Sequence, residues 1–262
     1  MAEATALSSQ SSIEVRKVPL DRPWAWLAKG FSDLRRAPAV SLGYGVLFVA
    51  AGYLLTAGLW ALGWLYLTLP LVAGFLIVGP LFAVGLYEIS RRLQTGEAVS
   101  FGTAFAAWQR NGSQIGLMGI ALLLLMFAWL RLAVLIFMLF FGLEPPSLDQ
   151  LVQQTLLSPD ALPFLIIGTA VGAVLAMLAF AISAISIPLL LDRPDANVFT
   201  AIVTSIEAVK TNPSAMLFWA ALIVLFVGAG LATFLLGLII TLPLIGHASW
   251  HAYRDLTGAE DQ

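Results

Sequence analysis

The chain is expected to be an all-α membrane protein, a polytopic transmembrane helix bundle of six spans. It reads as three repeats of an interfacial amphipathic helix plus a helical hairpin. Of 262 residues, 60% are hydrophobic and 11% charged, with a mean hydropathy of +0.93. A soluble domain carries about a quarter charged residues, so there is too little charge here to coat a water-facing globule. The apolar residues run continuously, as membrane helices do, rather than alternating as in a transmembrane barrel. Lys and Arg also collect on one side of the resulting topology, as cytoplasmic loops do.

Residues 1–22 read as a disordered cytoplasmic tail with the polar tract Ser8-Ser9-Gln10-Ser11-Ser12. No apolar stretch follows the first basic residues at signal-peptide distance, so no cleaved signal is expected. Residues 23–256 form a single transmembrane domain. No charge occurs between Arg36 and Glu88, a stretch of 51 residues, and one crossing needs about 20. Spans are placed near 39–61 and 65–88, with a turn at Gly63. The next two lie near 114–142 and 162–191. The last apolar run must hold two, 214–229 and 231–253, turning around Gly228-Ala229-Gly230. Residues 257–262 are a second cytoplasmic tail. With both termini inside, 12 of the 13 basic residues are cytoplasmic. The exterior loop 143–161 holds Glu144, Asp149 and Asp160 and no base.

Three cytoplasmic segments share a pattern. They are Leu27…Phe31…Leu34-Arg35-Arg36-Ala37-Pro38, Phe101…Phe105…Trp108-Gln109-Arg110-Asn111-Gly112 and Ile202…Ile206…Val209-Lys210-Thr211-Asn212-Pro213. Apolar residues spaced by four and three draw one helical stripe. Asn111 and Asn212 suit an N-cap, and Pro38 and Pro213 suit the first turn of a new helix. Each segment reads as a helix in the headgroup plane that turns sharply into a span. The second span of each following pair carries a proline: Pro80, Pro188 and Pro243.

The stretch Gly79-Pro80-Leu81-Phe82-Ala83-Val84-Gly85-Leu86-Tyr87-Glu88, then Arg91-Arg92, resembles a bacterial family of predicted integral membrane proteins of unknown function. So does Leu242-Pro243-Leu244-Ile245-Gly246-His247-Ala248-Ser249-Trp250-His251-Ala252-Tyr253-Arg254-Asp255. The resemblance covers about residues 15–256. It implies a bacterial inner membrane and no assigned activity.

Few residues could carry chemistry. His247 and His251, at i and i+4, share a helical face and could reach one metal. Alternatively they are interfacial histidines favoured by a helix C-terminus. With Ala248 where a metallohydrolase has Glu, the general base is missing. Glu88, Asp192, His247 and His251 could converge as a polar cluster at the cytoplasmic mouth, or simply meet water at span ends. Arg131 is the one base inside an apolar run. It either snorkels to the outer headgroups or forms a buried pair with Glu144 or another span's polar group. Glycine pairs Gly74/Gly79, Gly168/Gly172 and Gly228/Gly230 suit close helix packing. Trp24, Trp26, Trp108 and Trp250 suit an inner interfacial belt, with Trp60 and Trp64 in the outer one.

There is no cysteine, which excludes disulfides and thiolate sites. A net charge of −2 with no large basic face argues against nucleic acid as a partner. No phosphate loop, nucleophile elbow or metal tetrad appears. The expected partners are the lipid bilayer and other membrane proteins, with no cofactor. These observations favour a non-enzymatic scaffold or accessory subunit of an inner-membrane complex. The alternatives are a small transporter or channel, and a metal- or haem-associated redox accessory protein.

Overall fold

The computed structural model describes residues 13–142 and 157–258. The Ser8–Ser12 tract, and Glu144 and Asp149 of the expected exterior loop, lie outside them. Among the described residues the chain is helical, with no strand.

Helix α1 (Arg22–Arg36) carries Pro23 in its first turn and buries Trp26, Leu27, Gly30, Asp33 and Leu34. Ala37 interrupts it, and Pro38 starts α2 (Pro38–Ala61) in the first-turn position expected for it. The reversal falls at Gly63, whose φ of +71° is left-handed backbone that favours glycine. A 3-10 turn (Leu65–Leu67) leads into α3 (Thr68–Phe82) and α4 (Val84–Thr95), which meet at Ala83. The second unit starts with α5 (Phe101–Ala106), capped reciprocally by Ser100 and Thr103, and a 3-10 turn at Ala107–Gln109. It continues with α6 (Gly112–Phe141), α7 (Ala161–Ser183) and α8 (Ser186–Asp192). The last comprises α9 (Val198–Thr211), α10 (Pro213–Ala232) and α11 (Leu238–Leu256).

Five helical stretches are long and apolar enough to cross a membrane: Pro38–Ala61, Leu65–Thr95, Gly112–Phe141, Ala161–Asp192 and Pro213–Ala232. Helix α11 is not among them. Its first half is apolar, but His247, His251, Arg254 and Asp255 occupy the second.

Three junctions share one backbone geometry. Ala37, Asn111 and Asn212 have φ of −130°, −149° and −125°, with ψ of 55°, 52° and 51°. Each ends a short helix and starts a long one. Asn111 and Asn212 occupy the N-cap position but make no side-chain cap. Their amides reach other segments instead: Asn111 donates to the Leu190 and Ala196 carbonyls, and Asn212 to that of Arg16.

The packing runs in a ring. Helix α5 lies on α4, α9 on α8, and α1 on α11, while α4, α8 and α11 meet one another. Their meeting ends bury Leu86, Ile89, Ile187, Leu190, Trp250 and Tyr253 completely. Two glycines set the depth of α11. A Cβ on Gly30 would lie 2.7 Å from the Ala248 nitrogen, and one on Gly45 would lie 2.4 Å from the Ile239 oxygen. Of the glycines expected at contacts, Gly74, Gly172 and Gly230 touch neighbours, but Gly79, Gly168 and Gly228 face nothing within 4 Å.

The final hairpin turns later than expected. Helix α10 continues through Gly228-Ala229-Gly230 to Ala232, because Gly230 is needed where Leu238 and Thr241 press against it. Phe234 and Leu235, with φ of 53° and 70°, make the reversal. Thr233 stitches it by donating to the Gly230 carbonyl and accepting from the Gly237 amide. The Tyr53 hydroxyl donates to the Phe234 carbonyl and fixes the turn beside α2.

Candidate functional site

The ionisable side chains gather in one layer at the inner ends of α4, α8 and α11. Glu88, on α4, is 1% exposed. It accepts from Arg91 at 2.8 and 3.0 Å and from Arg92 at 2.7 Å, the i+3 and i+4 neighbours on its own helix. Arg91 also donates to Glu97. Hydrogen bonds from Arg91 and Thr95 hold the Glu97 carboxyl down at about 2.

Asp192 ends α8. It accepts from the Tyr253 hydroxyl at 2.7 Å and from Arg254 at 3.4 Å, tying α8 to α11. Asp255 accepts from Arg22 and from the Trp26 indole at 2.8 Å. Burial would raise the Asp255 carboxyl, but the Arg22 guanidinium, the Trp26 N–H and the Lys29 charge together hold it below the usual carboxylate range.

The two histidines have separate surroundings. His247 is fully buried, with Nε2 at 2.9 Å from Ser41 Oγ and Nδ1 at 2.8 Å from Ser90 Oγ. It braces α2, α4 and α11 together. His251 holds Asp33 of α1 through Nε2 at 2.8 Å, and its Nδ1 meets Gln94 at 3.2 Å. The tautomer follows from the neighbours. Trp250 can only donate, so Gln94 turns its oxygen to the indole and its NH₂ to His251 Nδ1. The proton therefore sits on Nε2 and faces Asp33.

Glu88, Asp192, His247 and His251 thus share a layer but not a hydrogen-bonded cluster, because each is bonded to a nearer complementary group. All four ring nitrogens of the histidines are engaged. Among the described residues no group of three or more His, Asp or Glu could hold a metal. A serine bonded to histidine is the geometry of an activated nucleophile. Here both Ser41 and His247 are wholly buried and neither borders the cleft described below. The pair joins α2 to α11.

Asp33, Ser41, Ser90 and Gln94 were not singled out from the sequence. Asp33 did carry a signal, since Trp26, Gly30, Asp33 and Ala37 fall at spacings of four, three and four on the face that packs inward. Trp26 and Trp250 are not interfacial anchors. They are buried, Trp26 edge-on against Trp219, because each indole N–H finds an acceptor inside the layer. Arg131 lies on the exposed side of α6; its alternative partner Glu144 lies outside the described residues.

Beyond this layer a cleft of about 80 Å³ opens where the helices break. Pro80, Ala83, Tyr87, Ala184, Trp219 and Gly246 are among its walls, and no charged residue lines it among the described residues. The hydroxyls of Ser183 and Ser249 point back to the Ala179 and Ile245 carbonyls of their own helices. At the Ala83 break the Leu86 amide bonds to the Ala83 carbonyl, which leaves the Phe82 carbonyl to accept from Tyr44 at 2.9 Å.

Residues 68–192 match the family described as "Predicted integral membrane protein (DUF2189)". The match includes Gly79–Glu88 and Arg91-Arg92, so the resemblance read from those residues is shown for this stretch. No curated protein and no solved structure matches the chain. With the five apolar helical stretches, this makes the chain a multi-pass helical integral membrane protein in contact with the lipid bilayer.

Proposed function

We propose that the protein is a non-enzymatic scaffold or accessory subunit of a complex in the bacterial inner membrane. In this reading it has six spans in three repeated units, with both ends in the cytoplasm. The observation that carries the scaffold reading is the engagement of the buried ionisable groups. Glu88, Asp33, Asp192, Asp255 and both histidines are bonded to residues of the same layer, and among the described residues no charged one lines the cleft beyond it. Ionisable residues that face a cavity within a membrane mark ion and proton pathways, and none of those named here faces the cleft.

For six spans, the Arg16 amide donates to the Leu256 carbonyl at 2.8 Å. The two described ends therefore lie close together, which supports an even number of crossings, with α11 returning beside α2. The three matching junctions and the ring of helix contacts support the repeat. The excess of Lys and Arg on the side expected to hold both ends supports its being cytoplasmic. A reporter fused after residue 150 is expected to read as exterior; a cytoplasmic reading would remove the six-span topology.

The functional test is affinity purification of the tagged chain from its native membrane in mild detergent, read by mass spectrometry. A reproducible stoichiometric partner is expected. A lone protein that moves a solute across proteoliposomes would replace this reading with a small transporter or channel. The cleft at the helix breaks is the observation favouring that alternative, and filling it with Ala83→Leu should then abolish the flux.

A further inference from the structure

The three interfacial helices end alike in chemistry as well as in backbone. A base stands just before each junction: Arg35 and Arg36 before Ala37, Arg110 before Asn111, Lys210 before Asn212. Arg35, Arg110 and Lys210 are all exposed. Arg35 lies over the Phe31 ring at 4.3 Å, and Arg110 donates to the Leu191 carbonyl. None of the three is in an ion pair among the described residues. Of the carboxylates close in sequence or contact, Asp33 is held by His251 and Asp192 by Tyr253 and Arg254, while Glu207, one helical turn before Lys210, accepts from Thr211 and makes no ion pair among the described residues.

Large apolar side chains are exposed on the same helices. Trp24 and Phe31 protrude from α1, Phe101 and Phe105 from α5, and Phe199, 73% exposed, from α9. None of these helices is long and apolar enough to cross a membrane. Rings in the open on short polar helices are unfavourable in water, but they are favoured at the headgroup level, where one side is apolar and the other wet. The junctions place the helices at that level, because each long helix starts at the next residue.

We propose that the junction ends of α1, α5 and α9 form a three-part collar that binds the headgroups of anionic phospholipids. The rings enter the acyl boundary, and Arg35, Arg110 and Lys210 contact the lipid phosphates. A phosphate diester bearing a further net negative headgroup satisfies bases that have no carboxylate partner, whereas a zwitterionic headgroup brings its own cation. The reading of the protein as membrane-spanning underlies this inference; the scaffold reading does not.

The test uses the full chain in nanodiscs of phosphatidylcholine mixed with phosphatidylglycerol. The measurement is the lipid retained per protein after exchange into mild detergent, by native mass spectrometry. Phosphatidylglycerol is expected to be retained well above its supplied fraction. Each base near a lipid surface contributes roughly fivefold, so Arg35→Gln, Arg110→Gln and Lys210→Gln together should cut the preference by on the order of tenfold or more. Stability in phosphatidylcholine alone should not change. Arg35→Lys, which keeps the charge, should keep the preference and guards against a misfolded triple variant. Retention in proportion to supply, or a triple variant as selective as the parent, would overturn the proposal. Displacement of the lipid by millimolar glycerol phosphate would overturn it too, by making the ligand a soluble anion. Both nanodisc leaflets have one composition, so the result is independent of which face is cytoplasmic and of any co-purifying partner.

Discussion

Trp26, Trp219 and Trp250, where α1, α10 and α11 meet, are wholly buried, whereas Trp60 and Trp64, at the turn between α2 and α3, are exposed. The same contrast holds for whole helices. Where α4, α8 and α11 meet, they pack on one another and on the short helices α1, α5 and α9, and polar side chains cross-link them. Farther out fewer side chains are buried, although Trp129 is, with its indole donating to the Pro70 carbonyl. Only 6% of the most apolar stretch of Ala161–Asp192 is buried within the chain. In a bilayer, lipid is as apolar as leucine, so apolar side chains alone give helices little reason to associate. The inner layer supplies what lipid cannot, namely hydrogen bonds, close backbone approaches and filled volume.

On that contrast, equal substitutions should have unequal costs. The largest difference is expected between tryptophans. Trp219→Ala should cost about 3–5 kcal/mol, the usual range for emptying a buried aromatic position. Trp60→Ala should stay within about 0.5 kcal/mol, as surface changes do. Unfolding in mixed micelles by titration with a denaturing detergent would measure both, and equal costs would end the comparison.

Next come the glycines. Gly30→Leu forces a side chain into the Ala248 backbone and should cost about 1–3 kcal/mol or more. Gly168→Leu meets open space and should be nearly silent. Limited proteolysis reports the same difference, since α1 should become cleavable only in the Gly30 variant.

A smaller effect is expected from pH. The Asp255 carboxyl is depressed in the folded protein, so it binds a proton less readily there than in the unfolded chain. Its contribution is complete above the unfolded value of about 3.9 and is lost as pH falls through its folded value. Thermal shifts compared at pH 5 and pH 3 should show a drop that is smaller in Asp255→Asn. An identical drop in both would place the acid sensitivity elsewhere. The smallest change is a gain. Phe234→Gly relieves a left-handed residue in the outer turn and should stabilise by about 1 kcal/mol, read as a small rise in melting temperature.

The tryptophans also show where sequence reading succeeds and where it stops. Trp60 and Trp64 flank Gly63, and run length with turn chemistry located that end of the hairpin. Pro38 and Pro213 announced their helix starts for the same local reason. Trp26 and Trp250 looked identical to interfacial anchors, because burial depends on which helix arrives opposite. Their partners Asp255 and Gln94 lie 229 and 156 positions away, and no local period encodes that. Glu88, Asp192, His247 and His251 lie in one layer but are not bonded to one another. Their actual partners, Asp33, Ser41, Ser90, Arg91, Arg92 and Tyr253, were set by helix rotation and depth. Gly30 and Gly45 govern that depth and stood outside the familiar small-residue pairs.

The contact between the Arg16 amide and the Leu256 carbonyl has a topological meaning. The peptide's first and last described segments are neighbours, with α1 seated on α11 as α5 sits on α4. Drawn as a circuit, the fold has no privileged starting point. A permuted gene that joined residue 258 to residue 13 through a short linker and opened at the exposed Gly96-Glu97 corner would keep the same helix neighbours in a new order of synthesis. Such a chain would make α5 first and would insert the proline-led hairpin of α2 last. Its assembly rate, set against that of the natural order, would tell whether the α1–α11 clasp is an early event or the closing one.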